Sequence, residues 1–203
     1  MNTYLIGVAG PSGAGKSVFC RAALERYPFA SRLKFDDFFR DESEVQKHPD
    51  GYVYWDDPQS IKWDWLARAL ADLSAGRSTE IPDYSRKENK MVGTKIVHPA
   101  PVILVDGYQI LCDERVREYL NMSLFFEIDE SLQVSRRIQR QPDVDRNYLY
   151  QVMLPAYEAF LAPTKRFAHH VIDSAQTPAA VQAQAYEALD PEFERLGLLA
   201  NTG

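Results

Sequence analysis

The segment from Gly10 to Ser17 reads GPSGAGKS and matches the pattern G-x-x-x-x-G-K-[ST] at every fixed position. It follows the apolar run Tyr4 to Ala9, which is typical of a buried strand of a parallel sheet, and it opens a stretch with helical spacing up to Tyr27. Glycines at such a junction let consecutive backbone N–H groups turn inward and form a nest for anions at the positive end of a helix. The chain is therefore constrained to an α/β fold in which this turn, the phosphate loop, binds phosphate groups.

The phosphate loop predicts a nucleotide site with a metal ion beside it. Lys16 brings a positive charge to the β- and γ-phosphates, and the Ser17 hydroxyl is an oxygen ligand of the kind that Mg²⁺ takes. The apolar run Val102 to Val105 predicts a neighbouring strand that ends at Asp106, at the edge of the sheet where ligands collect. We expect Asp106 to position Mg²⁺ together with Ser17, although an aspartate before glycine is also a common turn residue. The predicted nucleotide-binding residues are Gly10, Ser12, Gly13, Ala14, Gly15, Lys16 and Ser17.

Strand and helix patterns alternate along the rest of the chain, which predicts a central parallel sheet flanked by helices. Further predicted strands are 32–35, 124–128 and 171–172. Further predicted helices are 58–76, one that begins near 113, one that begins near 130, 145–167 with a bend near Pro155, and 178–196. The polar segment 77–99 predicts a hairpin or flap, segment 137–147 an arginine-bearing lid, and the whole chain, 1–203, a single domain.

Composition and charge exclude several classes of protein. The chain has 203 residues, of which 45% are hydrophobic and 26% charged, as in soluble globular domains. Its net charge of −6 is opposite to the basic footprint of nucleic-acid-binding proteins, so we expect no nucleic-acid partner. The longest apolar runs fall far short of the roughly 20 residues of a membrane helix, and 2 cysteines are too few for a disulfide framework. We therefore expect a cytoplasmic protein without a membrane partner, and homo-oligomer formation stays open.

Proteins with a phosphate loop include small-molecule kinases, regulatory ATPases and GTPase switches. The N-K-x-D motif that reads guanine is missing, because the Asn-Lys pair at Asn89 has Val92 where the aspartate would stand. A kinase instead needs a carboxylate against the acceptor hydroxyl and fixed cations around the transferring phosphoryl group. Asp36 and Asp37 follow the second predicted strand, where side-chain alternation lets only one of them face the phosphates. The pattern does not choose between them, and a helix N-cap is the alternative role.

Four arginines fall on a predicted helix and in the loop after it. Arg136 and Arg140 are four residues apart and share a helix face, Arg137 lies beside them, and Arg146 follows in the loop. Fixed cations stabilise a charge-dispersed transition state in a closed site, so we expect Arg137 and Arg140 to act in catalysis. A solvated basic face is the alternative interpretation of such a run.

Together these residues resemble the uridine–cytidine kinase and nicotinamide riboside kinase group of P-loop nucleoside kinases, over most of the chain. The segment FDDFFR at 35–40 is similar to the D-[DS]-F-[FY] element of the group, which implies that Asp36 is the base acting on the ribose 5′-hydroxyl. Trp55 and Asp56 fall where the group has an aromatic residue before an aspartate. This implies that Asp56 binds ribose hydroxyls and that the Trp55 ring lies near the base. The segment RRIQR at 136–140 resembles the entry into the lid of the group.

The resemblance extends to two further segments. Residues 155–165 are similar to the carboxyl-terminal signature of uridine kinases, and IPDYSRKE at 81–88 resembles their flap, which implies that Tyr84 contacts the base. The histidine of that flap has no counterpart in this chain. The resemblance implies a P-loop NTPase fold of the nucleoside kinase type, with ATP as phosphoryl donor and Mg²⁺ as cofactor.

The predicted function is ATP-dependent phosphorylation of the 5′-hydroxyl of a ribonucleoside such as uridine or cytidine, in nucleoside salvage. Nicotinamide riboside or another small alcohol is the alternative acceptor, and a regulatory ATPase without an acceptor is the alternative from a different class. In the main interpretation the catalytic residues are Asp36, Lys16, Arg137 and Arg140. The substrate-binding residues are Asp36, Trp55, Asp56, Tyr84, Arg137 and Arg146, and the metal site consists of Ser17 and Asp106.

Overall fold

Five parallel strands form the central sheet of the computed structural model, which describes residues 2–200. Within these residues the strands are β1 (Tyr4–Ala9), β2 (Ala30–Lys34), β3 (Thr79–Ser85), β4 (Lys90–Val97), β5 (Val102–Asp106), β6 (Met122–Glu127) and β7 (His170–Asp173). The sheet has the order β2-β5-β1-β6-β7 with every neighbouring pair parallel, while β3 and β4 form a separate antiparallel hairpin. The predicted span 1–203 includes Met1 and residues 201–203, which lie outside the described part.

Helices cover both faces of this sheet. They are α1 (Lys16–Arg26), α2 (Trp63–Ser74), α3 (Glu114–Arg117), α4 (Glu130–Arg140), α5 (Arg146–Tyr148), α6 (Leu154–Ala156) and α7 (Pro178–Arg195). Because side chains alternate along a strand, Leu5 of β1 lies in a core with α2, whereas Ile6 lies in a second core with α1 and α7. The predicted parallel sheet flanked by helices is confirmed. None of the helices formed by the described residues has the length and apolar character needed to span a bilayer.

The strand order brings three chemically important chain segments together. β1, β5 and β2 are neighbours, and the register pairs Val8 with Asp106 and Asp106 with Lys34. The phosphate loop follows β1, Asp106 ends β5, and a 3₁₀ turn at Phe35–Phe38 follows β2. The carboxyl ends of parallel strands meet at one edge of a sheet, so these three segments face a common space.

The predicted helix at 58–76 is wrong over its first residues. Asp57 does act as a cap, but it caps a separate 3₁₀ turn at Pro58–Ser60, and α2 follows later. The backbone of Ile61 is extended, forms an isolated bridge with Phe39 and buries its side chain in the core. Burial of a large apolar side chain outweighs the helical pattern here.

The predicted helix at 145–167 is continuous but irregular. It contains α5, a π-helical turn at Leu149–Met153, α6, a second π-helical turn at Tyr157–Leu161 and a 3₁₀ turn at Ala162–Phe167. Pro155 lies in α6, between the two π-helical turns. Proline has no N–H to donate to the preceding turn, so the regular hydrogen-bond ladder is interrupted near the position where the sequence predicts a bend.

The segment predicted as a hairpin, 77–99, forms β3 and β4 with a register shift between Asp83 and Tyr84. It is fixed to the chain that follows β2. Lys95 on β4 forms an ion pair with Asp37 at 2.7 Å, and the Met91 N–H donates to Asp41 Oδ1 at 2.9 Å. The hairpin therefore stands directly beside the two aspartates.

Candidate active site

A cavity of about 630 Å³ opens where the ends of β1, β2 and β5 meet. Its walls come from the phosphate loop, the turn after β2, the hairpin and α4. The carboxylates that line it are Asp36, Asp56 and Asp106, and the cationic side chains are Lys16, Arg32, Lys34, Arg86, Arg136, Arg137 and Arg140. The cavity is thus positively charged in a chain whose net charge is −6, which favours a ligand rich in negative charge.

The phosphate loop has a backbone that requires glycine. Gly10 and Gly15 have φ values of +132° and +85°, in the region that other residues rarely adopt. A Cβ on Gly10 would lie 2.3 Å from the carbonyl oxygen of Phe126, so the loop also packs tightly on the end of β6. Of the predicted nucleotide-binding residues, five line the cavity: Ser12, Gly13, Gly15, Lys16 and Ser17. Ala14 is buried and lines a neighbouring cavity.

Lys16 is held inside the loop. Its Nζ donates to the carbonyl oxygens of Gly10 at 2.7 Å and of Pro11 at 2.9 Å. Burial lowers the pKa of Lys16, and the nearby charges of Asp106 and Asp36 oppose this effect. A buried ammonium group is stabilised by a nearby anion, so this side chain favours phosphate binding next to the loop.

The chemistry at Ser17 and Asp106 fits a metal ion bound together with a nucleotide. The Ser17 hydroxyl donates to Asp106 Oδ2 at 3.1 Å, and both residues line the cavity. Arg32 also donates to Ser17 and forms an ion pair with Asp106, so a cationic group already bridges these oxygens. Among residues 2–200 no three histidine, cysteine or carboxylate side chains are grouped so as to hold a metal alone. Mg²⁺ commonly takes one or two protein oxygens with substrate phosphates, which is the donor set available here.

The structure separates the two adjacent aspartates that the sequence pattern leaves open. The Asp36 carboxylate lines the cavity and forms an ion pair with Arg86 at 2.8 Å. The Asp37 side chain is 13% exposed and turns to the hairpin, where it pairs with Lys95. Burial raises the pKa of Asp37, and the bond from Lys95 opposes this rise. Asp36 is therefore the carboxylate that a ligand in the cavity can reach.

The hairpin sends Arg86, rather than Tyr84, into the cavity. The Arg86 guanidinium lies 4.7 Å from the centroid of the Phe39 ring, and both side chains line the cavity. Burial alone would lower the pKa of Arg86, but its pairing with Asp36 raises it overall. Tyr84 packs behind Phe39, with ring centroids 5.8 Å apart, and burial raises its pKa to about 12. Tyr84, expected to contact a base, does not line this cavity.

Trp55 and Asp56 line the cavity because the loop after β5 holds their backbone. The Tyr108 hydroxyl donates to the Trp55 carbonyl oxygen at 2.5 Å, and Gln109 Nε2 donates to the Asp56 carbonyl oxygen at 2.5 Å. The Trp55 ring packs edge-on against Phe39, with centroids 5.6 Å apart. This loop, which directly follows Asp106 at the end of β5, therefore supports the predicted acceptor residues.

The Asp56 carboxylate interacts with side chains of the helices that line the cavity. The Tyr148 hydroxyl donates a hydrogen bond to the Asp56 carboxylate, and Arg137 lies close enough to interact with its charge. Burial raises the pKa of Asp56, while Tyr148 and Arg137 oppose the rise. Asp56 can therefore accept hydrogen bonds from a polar ligand in a site that is shielded from water.

The arginines of α4 face the phosphate loop. Arg136 Nη1 donates to the Gly13 carbonyl oxygen at 3.1 Å, and Arg140 Nη2 donates to Ser12 Oγ at 3.0 Å. Burial and the neighbouring guanidinium groups lower the pKa of Arg140. These crowded cations repel one another until an anion binds between them. Arg146 is exposed at the start of α5 and does not line the cavity.

A second cavity of about 260 Å³ lies on the other side of the phosphate loop and has an apolar lining. Gly13, Gly15 and Arg136 line both cavities, so the two are adjacent. Ser174 lies in its wall, and its Oγ is buried without a hydrogen-bond partner. The size and apolar lining of this cavity suit a flat heterocyclic ring attached to phosphates.

Sequence reasoning missed several residues of the site. Arg32 and Lys34 alternate with buried Leu33 on β2, and this spacing puts both cations on one face just before Asp36, a signal that could have been read. Arg86, Tyr108, Gln109 and Tyr148 carry no such signal, because their contacts join segments that are distant in sequence. Those contacts depend on how the hairpin and the loops fold over the sheet.

The fold and the site define a class: an α/β protein of the P-loop type with an acid-containing cavity beside the phosphate loop. Comparison with solved structures supports this fold. A phosphoribulokinase from Rhodobacter spheroides superposes with a TM-score of 0.64 at 12% identity, covering 86% of this chain and 73% of that one. A possible uridine kinase from Bacillus stearothermophilus gives a TM-score of 0.62 at 16% identity, covering 85% of this chain and 90% of that one.

Sequence comparison is more specific. Residues 5–182 match the family described as the phosphoribulokinase / uridine kinase family. A uridine kinase from Streptococcus equi subsp. zooepidemicus is 34% identical over 179 residues, covering 83% of this chain and 86% of the relative. The chain belongs to the phosphoribulokinase / uridine kinase family, which confirms the resemblance stated from its motifs.

Proposed function

We propose that this protein transfers the γ-phosphoryl group of MgATP to the 5′-hydroxyl of a ribonucleoside, with uridine or cytidine as the favoured acceptor. Membership of the family makes the protein an ATP-dependent kinase with a hydroxyl group as acceptor. The observation that carries the acceptor proposal is the position of Asp36. Its carboxylate lines the same cavity as the phosphate loop and lies close enough to Lys16 to affect that lysine's pKa.

The charges of the cavity support a neutral acceptor. Asp36 pairs with Arg86, Asp106 pairs with Arg32, and Asp56 interacts with Arg137, so the carboxylates are each matched by a cation. The cations that touch the phosphate loop, Lys16, Arg136 and Arg140, form no ion pair with a carboxylate within residues 2–200, and they suit the charge of a triphosphate. A riboside without phosphate groups therefore suits the part of the cavity with the paired carboxylates, and the charged nucleotide suits the part next to the phosphate loop.

In this proposal each group around the phosphate loop has a role in the transfer. Asp36 accepts a hydrogen bond from the acceptor hydroxyl and takes its proton as the new bond to the γ-phosphorus forms. The bond from that phosphorus to the bridging oxygen of the β-phosphate breaks, and ADP leaves. Lys16, Arg137 and Arg140 stabilise charge on the transferring phosphoryl group because they are fixed before the reaction. When bound, Mg²⁺ supplies neutralisation of the phosphate charge, and Ser17 and Asp106 would hold it.

The remaining cavity residues suit a ribose and a base. Asp56 accepts hydrogen bonds from ribose hydroxyls, and the rings of Trp55, Phe39, Tyr108 and Tyr148 provide flat apolar surfaces for a base. The second cavity would take the base of the ATP donor. In this proposal the hairpin is a flap and the segment 137–147 a lid, and Arg146 contacts substrate only when that segment closes. Such an activity would serve nucleoside salvage.

The experiment that tests the proposal is ADP release measured with uridine, cytidine, adenosine, nicotinamide riboside and no acceptor, each with ATP and Mg²⁺. We expect stimulation by uridine or cytidine. Strongest stimulation by nicotinamide riboside would assign the alternative acceptor, whose cationic ring the same aromatic side chains could bind. ADP release that does not depend on any acceptor would support the regulatory ATPase instead.

A further inference from the structure

Arg32 occupies a place that the proposed reaction does not explain. It lies on β2, and its Nη2 donates to Ser17 Oγ at 3.1 Å and pairs with the Asp106 carboxylate. The side chains of Arg32 and Asp106 are 17% and 4% exposed, so the pair is largely shielded from water. A guanidinium group therefore sits between the same two oxygens that a nucleotide-bound metal needs.

The contact is not a fully satisfied structural ion pair. Arg32 Nε is buried without a hydrogen-bond partner, although guanidinium groups in permanent pairs commonly bind carboxylates through two nitrogens. A buried donor without a partner reduces the stability of the arrangement. Lys34 lies two residues later on the same face of β2 and lines the same cavity, so the space beside Arg32 is open to ligands.

We propose that Arg32 competes with the divalent metal ion for Ser17 and Asp106 and has to leave these oxygens when the metal binds with nucleotide. The inference rests on the proposed function to the extent that the metal is held at these two residues. A metal ion can bind only to those protein molecules in which the guanidinium has left these oxygens. The apparent metal affinity is therefore the intrinsic affinity multiplied by the fraction of such molecules. The displaced guanidinium stays in a cavity that then holds phosphates, which are alternative partners for it. Metal binding thereby becomes dependent on the nucleotide.

The test measures metal binding rather than turnover. Mn²⁺ is titrated into the ADP-saturated protein, and the free ion is followed by electron paramagnetic resonance, for wild type, Arg32→Gln and Lys34→Gln. Lys34→Gln is the matched control, because it removes one positive charge from the same strand face and cavity. We expect Arg32→Gln to bind Mn²⁺ about three- to tenfold more tightly than wild type, and Lys34→Gln to change the affinity by less than about twofold.

The following outcomes would overturn the inference. If Arg32→Gln binds Mn²⁺ more weakly than wild type, Arg32 orients Asp106 for the metal instead of competing with it. If Arg32→Gln and Lys34→Gln change the affinity equally, only the general charge of the cavity matters. If Arg32→Gln does not fold, Arg32→Met takes its place, because it keeps the aliphatic stem of the side chain. We expect the same gain in Mn²⁺ affinity from that variant.

Failure of the proposed function gives a different result. If wild-type protein and Asp106→Asn bind Mn²⁺ equally well in the presence of ADP, the metal does not use Asp106, and the proposed site itself is wrong. If wild type binds Mn²⁺ more tightly than Asp106→Asn but Arg32→Gln shows no gain over wild type, the proposed metal site is supported and the competition by Arg32 is wrong.

Discussion

At the residue scale, the two adjacent aspartates after β2 make a controlled comparison. Asp36 lines the cavity, whereas Asp37 is paired with Lys95 of the hairpin. We predict that Asp36→Asn lowers kcat by about 10²–10⁴-fold, the usual effect of losing a positioned base, while ATP binding changes little. Asp37→Asn is expected to lower thermal stability and leave kcat within about tenfold, because it breaks a contact to the hairpin. Equal losses of kcat in both variants would contradict the assignment.

Asp56 gives a prediction about pH. Burial raises the pKa of Asp56 and the hydrogen bond from Tyr148 opposes this, so loss of that bond raises the pKa further. We predict that Tyr148→Phe moves the acid limb of kcat/KM for the acceptor to higher pH. Asp56→Asn should lower kcat/KM by about ten- to a hundredfold, because a charge-assisted hydrogen bond to the acceptor is lost. An unchanged acid limb in Tyr148→Phe would show that Asp56 does not control it.

The same carboxylate has a consequence for stability. Because the pKa of Asp56 is higher in the folded state than in the unfolded state, the folded protein holds that proton to higher pH. The contribution of Asp56 to stability is therefore present below its unfolded pKa and is lost as pH rises through its folded pKa. We predict that Asp56→Asn has a higher free energy of unfolding than wild type at pH 7, and that urea titrations at decreasing pH show this difference shrinking. A variant less stable than wild type at pH 7 would contradict this prediction.

At the scale of the element, substitutions at two glycines of the phosphate loop test how tightly the loop packs against β6. Gly10 combines a φ of +132° with a Cβ position 2.3 Å from the Phe126 carbonyl oxygen, while a Cβ on Gly15 would meet no atom within 4 Å. We predict that Gly15→Ala costs about 1–2 kcal/mol of unfolding free energy, from backbone strain alone. Gly10→Ala should cost more than about 3 kcal/mol, since steric overlap adds to the strain. Guanidinium denaturation measures both, and equal costs would show that the loop moves away from β6.

Element patterns explain which parts of the fold were predictable. The strand, glycine turn and α1 follow from a local motif, and the buried apolar runs of β1 and β5 are typical of a parallel sheet whatever lies around them. The start of α2 was not predictable, because Ile61 is held extended by Phe39, which is far away in sequence. The placement of the hairpin was not predictable either. Arg86 and Lys95 form ion pairs with the residues that follow β2, and these pairs exist only when the hairpin packs against that segment.

At the scale of the whole molecule, the strand order brings the site together. Because β2, β5 and β1 are neighbours, Asp36, Asp106 and the phosphate loop meet at one edge, so the strand-end residues of the site could be predicted from the sequence. Arg32 could have been predicted from its alternation with buried Leu33 on β2, whereas Arg86 and Tyr148 could not, because they reach the cavity through long-range packing. The protein is acidic overall, yet cationic side chains outnumber carboxylates in the lining of this cavity. Net charge alone therefore says little about what the cavity binds.

The central claim is that a nucleoside hydroxyl lies between Asp36 and the phosphoryl group held by the phosphate loop. It is tested most directly by incubating the protein with ATP, Mg²⁺ and uridine or cytidine and locating the transferred phosphate by phosphorus–proton NMR. We predict a phosphate on the 5′-oxygen of the nucleoside, and loss of this product in Asp36→Asn while that variant still binds ATP. Inorganic phosphate as the sole product, formed at the same rate with and without nucleoside, would contradict the account.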